Sequence, residues 1–246
     1  AKLLQDSELL SSDNPIVEQA STEPLKYAKA DADGTGAGHL IVCVHGLAGN
    51  QYDLRMFRLA MLRFFPNLTF MMSSCNENNT HKSFDDMTDG MFAEFLAVLD
   101  TTPVRRVSFI GHSLGNIIIR NLLSRVEVRK MFSTVKDDPN FKSRKPRLHT
   151  FLSLCAPHLG ARYNTGLVST GMWIMSKWKG SQSLQQLSMQ DAANPRETLL
   201  YRLSAAPGFE LFKHVLLVSS PQDKYIPISS ALLHTCHKAE SERSHG

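Results

Sequence analysis

The sequence predicts one α/β domain built on a mainly parallel sheet with helices on both faces. Three observations carry that expectation. A chain of 246 residues can bury one substantial core, and 42% hydrophobic with 20% charged residues is ordinary for a globular protein. Short β-rich apolar runs alternate with longer segments whose apolar residues recur at three- and four-residue steps, which calls for crossover connections between parallel strands. The serine of SFIGHSLGNIIIR (108–120) also falls in a tight turn between one such run and the next helical segment.

The elements follow in order. Residues 1–38 are polar and end in DADGTGAG, a linker by composition. HLIVCV (39–44) is the first expected strand. In YDLRMFRLAMLRFF, the residues Leu54, Phe57, Leu59, Met61, Leu62 and Phe65 keep helical spacing. LTFMM (68–72) reads as the second strand, and FDDMTDGMFAEFLAVLD as a helix with acids in its first turn. RVSFI (106–110) and NIIIRNLLSRV form the third strand–helix pair; LHTFLSLC (148–155) and HVLLVSS (214–220) add two strands. The expected domain is 39–238, followed by a polar tail, 239–246. The basic stretch 126–147 between the third helix and fourth strand reads as a solvated loop.

Composition narrows the function classes. A formal charge of +4 is too small to imply nucleic acid as a partner. No apolar run approaches the roughly 18 residues of a membrane span. The start, AKLLQDSELL, carries acids where a signal peptide carries bases. Asn67-Leu68-Thr69 and Asn78-Asn79-Thr80 match the glycosylation sequon and are read as chance matches. Cys43, Cys75, Cys155 and Cys236 lie far apart with no zinc-type spacing, and fit reduced thiols in a cytoplasmic protein. No metal and no cofactor is implied. The first residue is Ala1 rather than methionine, so a longer parent chain is expected.

Chemistry is concentrated at one corner. Gly111-His112-Ser113-Leu114-Gly115, between strand and helix, is the context of the G-x-S-x-G nucleophile elbow. Ser113 would sit at a strained backbone angle, and the flanking glycines would let strand and helix approach. The hydroxyl then projects from the carboxyl edge of the sheet, facing a helix N-terminus. Two backbone N–H groups are expected to hold the oxyanion: that of Leu114, next to the nucleophile, and that of Leu47, in the turn after the first strand. Asp223, in PQDKYIP after the last strand, is the expected acid of a triad.

The third partner is harder to place. In this fold a histidine follows the acid in chain order. His234 and His237 lie in SSALLHTCHK, a helix-like segment expected to run away from the active edge. His245 sits in the unanchored tail AESERSHG, a poor platform for a base that must stay within hydrogen-bond reach. His158 is expected to wall the site and His112 to pack beside the sheet; neither fits the base by position. Losing the base of a triad costs on the order of 10⁶ in kcat.

HLIVCVHGLAGNQYDLR, FDDMTDG, VSFIGHSLGNIIIR, LHTFLSLCAPHLG, TGMWIMSKWKGSQSLQQLS and SPQDKYIPISSA together resemble the lipase-like "putative serine esterase" domain, an α/β-hydrolase. The version that ends the large proteins called "family with sequence similarity one hundred thirty-five" is the nearest in these blocks. The resemblance covers most of 39–238. It implies Ser113 as nucleophile and Asp223 as acid. It also implies a catalytic histidine beyond residue 246, and therefore an α/β-hydrolase sheet truncated at its C-terminal end. TGMWIMSKWK (170–179) carries Met172, Trp173, Ile174, Met175 and Trp178 beside two lysines. As a buried helix it would cover the sheet; as a lid it would touch a membrane surface and favour long acyl chains. The reading is a serine esterase of lipid or other acyl esters, acting through an acyl-enzyme on Ser113. The alternative is an inactive binding or scaffold module on the same fold, since no triad histidine is evident. An acyltransferase is a third option.

Overall fold

The computed structural model describes residues 38–132, 146–160 and 180–235. Within them the order is β1 (His39–Val44), α1 (Arg55–Phe64), β2 (Thr69–Met72), α2 (Phe84–Thr101), β3 (Arg106–His112), α3 (Gly115–Ser124) and α4 (Val126–Phe132). Then come β4 (Arg147–Leu154), α5 (Gln182–Leu187), α6 (Leu199–Ala205), β5 (His214–Val218) and a last short turn, α7 (Ile228–Ala231). The five strands form one sheet in the order β2-β1-β3-β4-β5, every pair parallel. This is the predicted α/β-hydrolase-type sheet.

Side-chain alternation along β1 explains the layers. Leu40, Val42 and Val44 point to one face and meet Phe84, Met87 and Met91 of α2 and Ile117, Ile118 and Leu122 of α3. Ile41 and Cys43 point to the other face, where Leu54, Phe57 and Met61 at α1 cover them. Central strands wetted on neither face have to be apolar throughout, which is why HLIVCV shows no polar alternation. Ser83 caps α2: its hydroxyl accepts the Asp86 N–H at 3.1 Å and donates to the Asp86 carboxylate at 2.7 Å. β5 lies at the edge and stays exposed, Leu216 by 51%.

Three expectations change. The basic stretch does not begin as a loop: α4 runs to Phe132 because Val128 and Phe132 bury their side chains in the main core. Residues 133–145 lie outside the described residues, as do 1–37, 161–179 with the five apolar lid candidates, and 236–246 with Cys236, His237 and His245. The helix expected through SSALLHTCHK ends after four residues, at Ala231, and Leu233 takes a φ of 56° that no helix accommodates. Cys155 is no buried strand residue: it follows β4 with φ 49° and is half-buried.

The topology points to one place. The chain leaves β1 for β2 on one side, then returns to place β3 on the other. The carboxyl ends of β1 and β3 therefore flank the point where strand order reverses, the crevice in which open α/β sheets bind ligands.

Candidate active site

β3 ends at His112 and α3 starts at Gly115, so the chain must reverse within two residues. Ser113 makes the turn with φ 50°. Such a conformation costs a side-chain-bearing residue on the order of 1–3 kcal/mol, and it persists only where the surroundings over-determine it. They do. The Ser113 N–H donates to the Leu154 carbonyl of β4 at 2.8 Å, and the Ser113 carbonyl accepts the Asn116 N–H at 3.1 Å. Asn116 is fully buried, and its side-chain amide donates to the same Ser113 carbonyl at 3.1 Å and to Leu154 O at 3.3 Å. Asn116 therefore ties the corner to the neighbouring strand. Its one sequence signal is a polar residue opening the otherwise apolar NIII.

Two glycines make the approach possible. A Cβ on Gly115 would lie 2.5 Å from the carbonyl oxygens of both Val44 and His45, so α3 begins directly against the end of β1. A Cβ on Gly46 would lie 3.1 Å from the Cβ of Ser113, so the turn after β1 sits against the serine itself. Among the described residues, the amides of Leu47 and Leu114 enter no hydrogen bond, in the turn and at the helix cap flanking Ser113. The turn is held from behind. Ala48 N–H donates to Thr80 Oγ1 at 2.9 Å, and Gly49 N–H to Gly46 O at 3.1 Å. Thr80, 1% exposed, is the threonine of the second sequon, and its role here was not legible beforehand.

Asp223 reaches the same edge from β5. Its N–H donates to Ser220 O at 3.1 Å, and its Oδ1 accepts the N–H groups of Tyr225 at 2.8 Å and Ile226 at 3.0 Å. One carboxylate oxygen is thus locked by backbone, which orients the other. Between the serine and the acid stands the end of β4. Leu154 O receives the Ser113 N–H, and the next residue, Cys155, donates its N–H to Val218 O of β5 at 2.8 Å. Burial, then the adjacent Asp223 carboxylate, raises the Cys155 thiol pKa. Ser113, Cys155 and Asp223 thus stand on three successive strand ends.

The histidines are distributed differently from expectation. His158 does not wall the site. It is 2% exposed within the core face, where its Nε2 shares a 2.9 Å hydrogen bond with Ser153 Oγ and its carbonyl accepts from Arg120 at 3.1 Å. Burial, aided by the Arg120 charge, pushes its pKa down to about 3, so it is held neutral as a packing group. His112 does not pack beside the sheet but is exposed, because β3 runs on to the carboxyl edge. His45 is 3% exposed and donates Nδ1–H to the Gly46 carbonyl at 3.0 Å. His234 is exposed beyond α7. Among the described residues, no imidazole hydrogen-bonds Ser113 or Asp223.

The arrangement places a hydroxyl at a sheet edge, beside it two amides that make no hydrogen bond among the described residues, and an oriented carboxylate two strands away. Comparison with known proteins adds a family. The model of the family described as "Putative serine esterase (DUF676)" matches residues 35–238. Among solved structures, the chain is similar to an esterase from Pyrococcus furiosus, at 14% identity over 86% of this chain and 69% of that one, TM-score 0.46. It is similar to an extracellular alpha/beta-hydrolase from a Paenibacillus species, at 12% identity over 82% of this chain and 85% of that one, TM-score 0.44. It is also similar to phospholipase PlaB from Legionella pneumophila, at 16% identity over 67% of this chain and 34% of that one, TM-score 0.39.

Proposed function

The chain belongs to the family described as "Putative serine esterase (DUF676)", and from that premise we propose that it is a carboxylic ester hydrolase whose nucleophile is Ser113. The observation that carries the reading is the Ser113 corner. A non-glycine φ of 50°, held by Leu154 O and by the buried Asn116, is strain maintained at one hydroxyl. Ser113 Oγ attacks the ester carbonyl carbon while a histidine takes its proton. The carbonyl oxygen becomes an oxyanion that accepts from the N–H groups of Leu47 and Leu114, each such donor being worth about 3–4 kcal/mol. Collapse expels the alcohol, which leaves with the proton from the histidine, and gives an acyl-serine that water then hydrolyses. Asp223, with Oδ1 fastened, uses Oδ2 to orient that histidine.

The substrate class is lipid or other acyl esters, and the apolar stretch holding Met172, Trp173, Ile174, Met175 and Trp178 supports long acyl chains and contact with a membrane surface. The described cysteines, Cys43, Cys75 and Cys155, are free thiols, which supports a reducing, cytoplasmic setting. Within the family, the quoted sequence blocks support placement beside the domain that ends the "family with sequence similarity one hundred thirty-five" proteins.

A second reading is favoured by one observation, the lack of an imidazole bonded to Ser113 or Asp223 among the described residues. It makes the chain a binding module on a hydrolase fold. Treatment with a fluorophosphonate probe decides between them. The hydrolase predicts labelling that vanishes in Ser113→Ala and slows at least a hundredfold in Asp223→Ala. Running the chain beside a C-terminally extended form, and beside His245→Ala, locates the base. No labelling of any form would leave the binding module standing.

A further inference from the structure

The sheet face under α1 holds an open groove of about 610 Å³, at the amino ends of the strands. Arg106 opens β3 and Ser113 follows its end, so about 20 Å of strand separates the Arg106 end of this groove from the elbow. Its walls are apolar: Phe57, Met61 and Phe65 from the α1 side, Ile41, Ile110 and Leu152 from the sheet. One end is polar, and a β-bulge makes it so. Val107 pairs with Leu148 and Phe109 with Phe151, so His149 and Thr150 together oppose Ser108. The Thr150 N–H donates to Ser108 Oγ at 3.2 Å, and Ser108 Oγ shares a 2.8 Å hydrogen bond with His39 Nε2. His149 Nδ1 shares another, at 2.8 Å, with Thr150 Oγ1. The imidazoles of His39, His149 and His214 stack edge to face at 5.1 and 5.2 Å rather than converging on one point.

A fixed cation completes this end. Arg106 lines the groove, its charge acts on both His39 and His149, and among the described residues no carboxylate pairs with it. Burial first, then neighbouring cations and imidazoles, pushes the His39 pKa down to about 4 and lowers that of His149, so both are neutral N–H and lone-pair groups around one guanidinium. An apolar trough ending in a guanidinium and polar imidazoles matches an amphiphile with a planar anionic head, since guanidinium pairs with carboxylate in two parallel hydrogen bonds.

We propose that this groove binds one long-chain fatty acid anion, its alkyl chain along Phe57, Met61 and Phe65 and its carboxylate at Arg106 and His149. The site is separate from the Ser113 edge and does not depend on the hydrolase reading.

Calorimetric titration of the full chain with oleate, kept below its micelle concentration, and with oleyl alcohol tests it. One oleate binds per chain, and the alcohol binds at least tenfold more weakly. Arg106→Gln brings oleate to the level of the alcohol, whereas Arg106→Lys keeps part of the preference. Met61→Trp, which fills the trough, weakens both ligands. By nuclear magnetic resonance, oleate shifts the His39 and His149 ring signals and moves their titration to higher pH, as an anion among Arg106, Lys213 and His214 must. The proposal is overturned if oleate does not bind, if Arg106→Gln binds it as well as the parent chain, or if sedimentation shows a dimer whose second copy occupies the groove. Fluorophosphonate labelling of Ser113 in the same variants reads the hydrolase separately, so either idea can fail alone.

Discussion

At the scale of single residues, the site is a problem of space before it is one of chemistry. Ser113 can occupy its corner because Gly115 and Gly46 leave room for β1 to come against it, and because Asn116 fills the polar gap behind. A methyl group at Gly115 would press on two backbone carbonyls, which cannot rotate away. Gly115→Ala is therefore expected to lower stability by about 1–3 kcal/mol in urea titration and to slow labelling of Ser113. Unchanged stability would mean that α3 does not start where it is placed. The spacing G-x-S-x-G made the glycines legible. Asn116 and Thr80 were not, because neither one polar residue in an apolar run nor a threonine in the polar NENNTHK announces its partner.

At the scale of elements, local chemistry set where helices begin more clearly than where they end. The acids after Phe84 mark the start of α2 in the sequence, and the structure places it there and caps it with Ser83. Ser83→Ala should lower stability by about 1 kcal/mol. Gly90, mid-helix with nothing nearer than 3.7 Å to an added Cβ, makes the opposite test. Gly90→Ala should raise stability by about 0.5–1 kcal/mol, and thermal unfolding of both variants checks the pair. The basic stretch after α3 was misjudged because its charges conceal two buried apolar residues, Val128 and Phe132, four apart. The bulge at His149 and Thr150 had no sequence signature, since it exists only as a mismatch of register between β3 and β4.

For the whole molecule, one buried and one half-buried imidazole tie stability to pH. His158 and His39, pushed down to about 3 and about 4 chiefly by burial, stay neutral in the folded protein. In the unfolded chain they take up protons below about pH 6.5. The unfolded state then binds more protons, so stability is level above that pH and falls as the solution is acidified toward 4. Urea midpoints should be lower at pH 5 than at pH 7.5, and His158→Gln should narrow the difference. Equal midpoints in the parent chain would contradict the burial of both rings.

The order of the five strands and of the first three helices, the serine corner and the position of Asp223 after the last strand were determined by the sequence alone, because they rest on periodicity and on contacts between near neighbours. Tertiary structure decided what depends on residues far apart in the chain. It brought Leu154 and Asn116 to hold Ser113, set Cys155 beside Asp223, withdrew His158 into the core and gathered His39, Arg106 and His149 at one end of a groove. Those encounters follow from the register of five parallel strands, which no local stretch encodes.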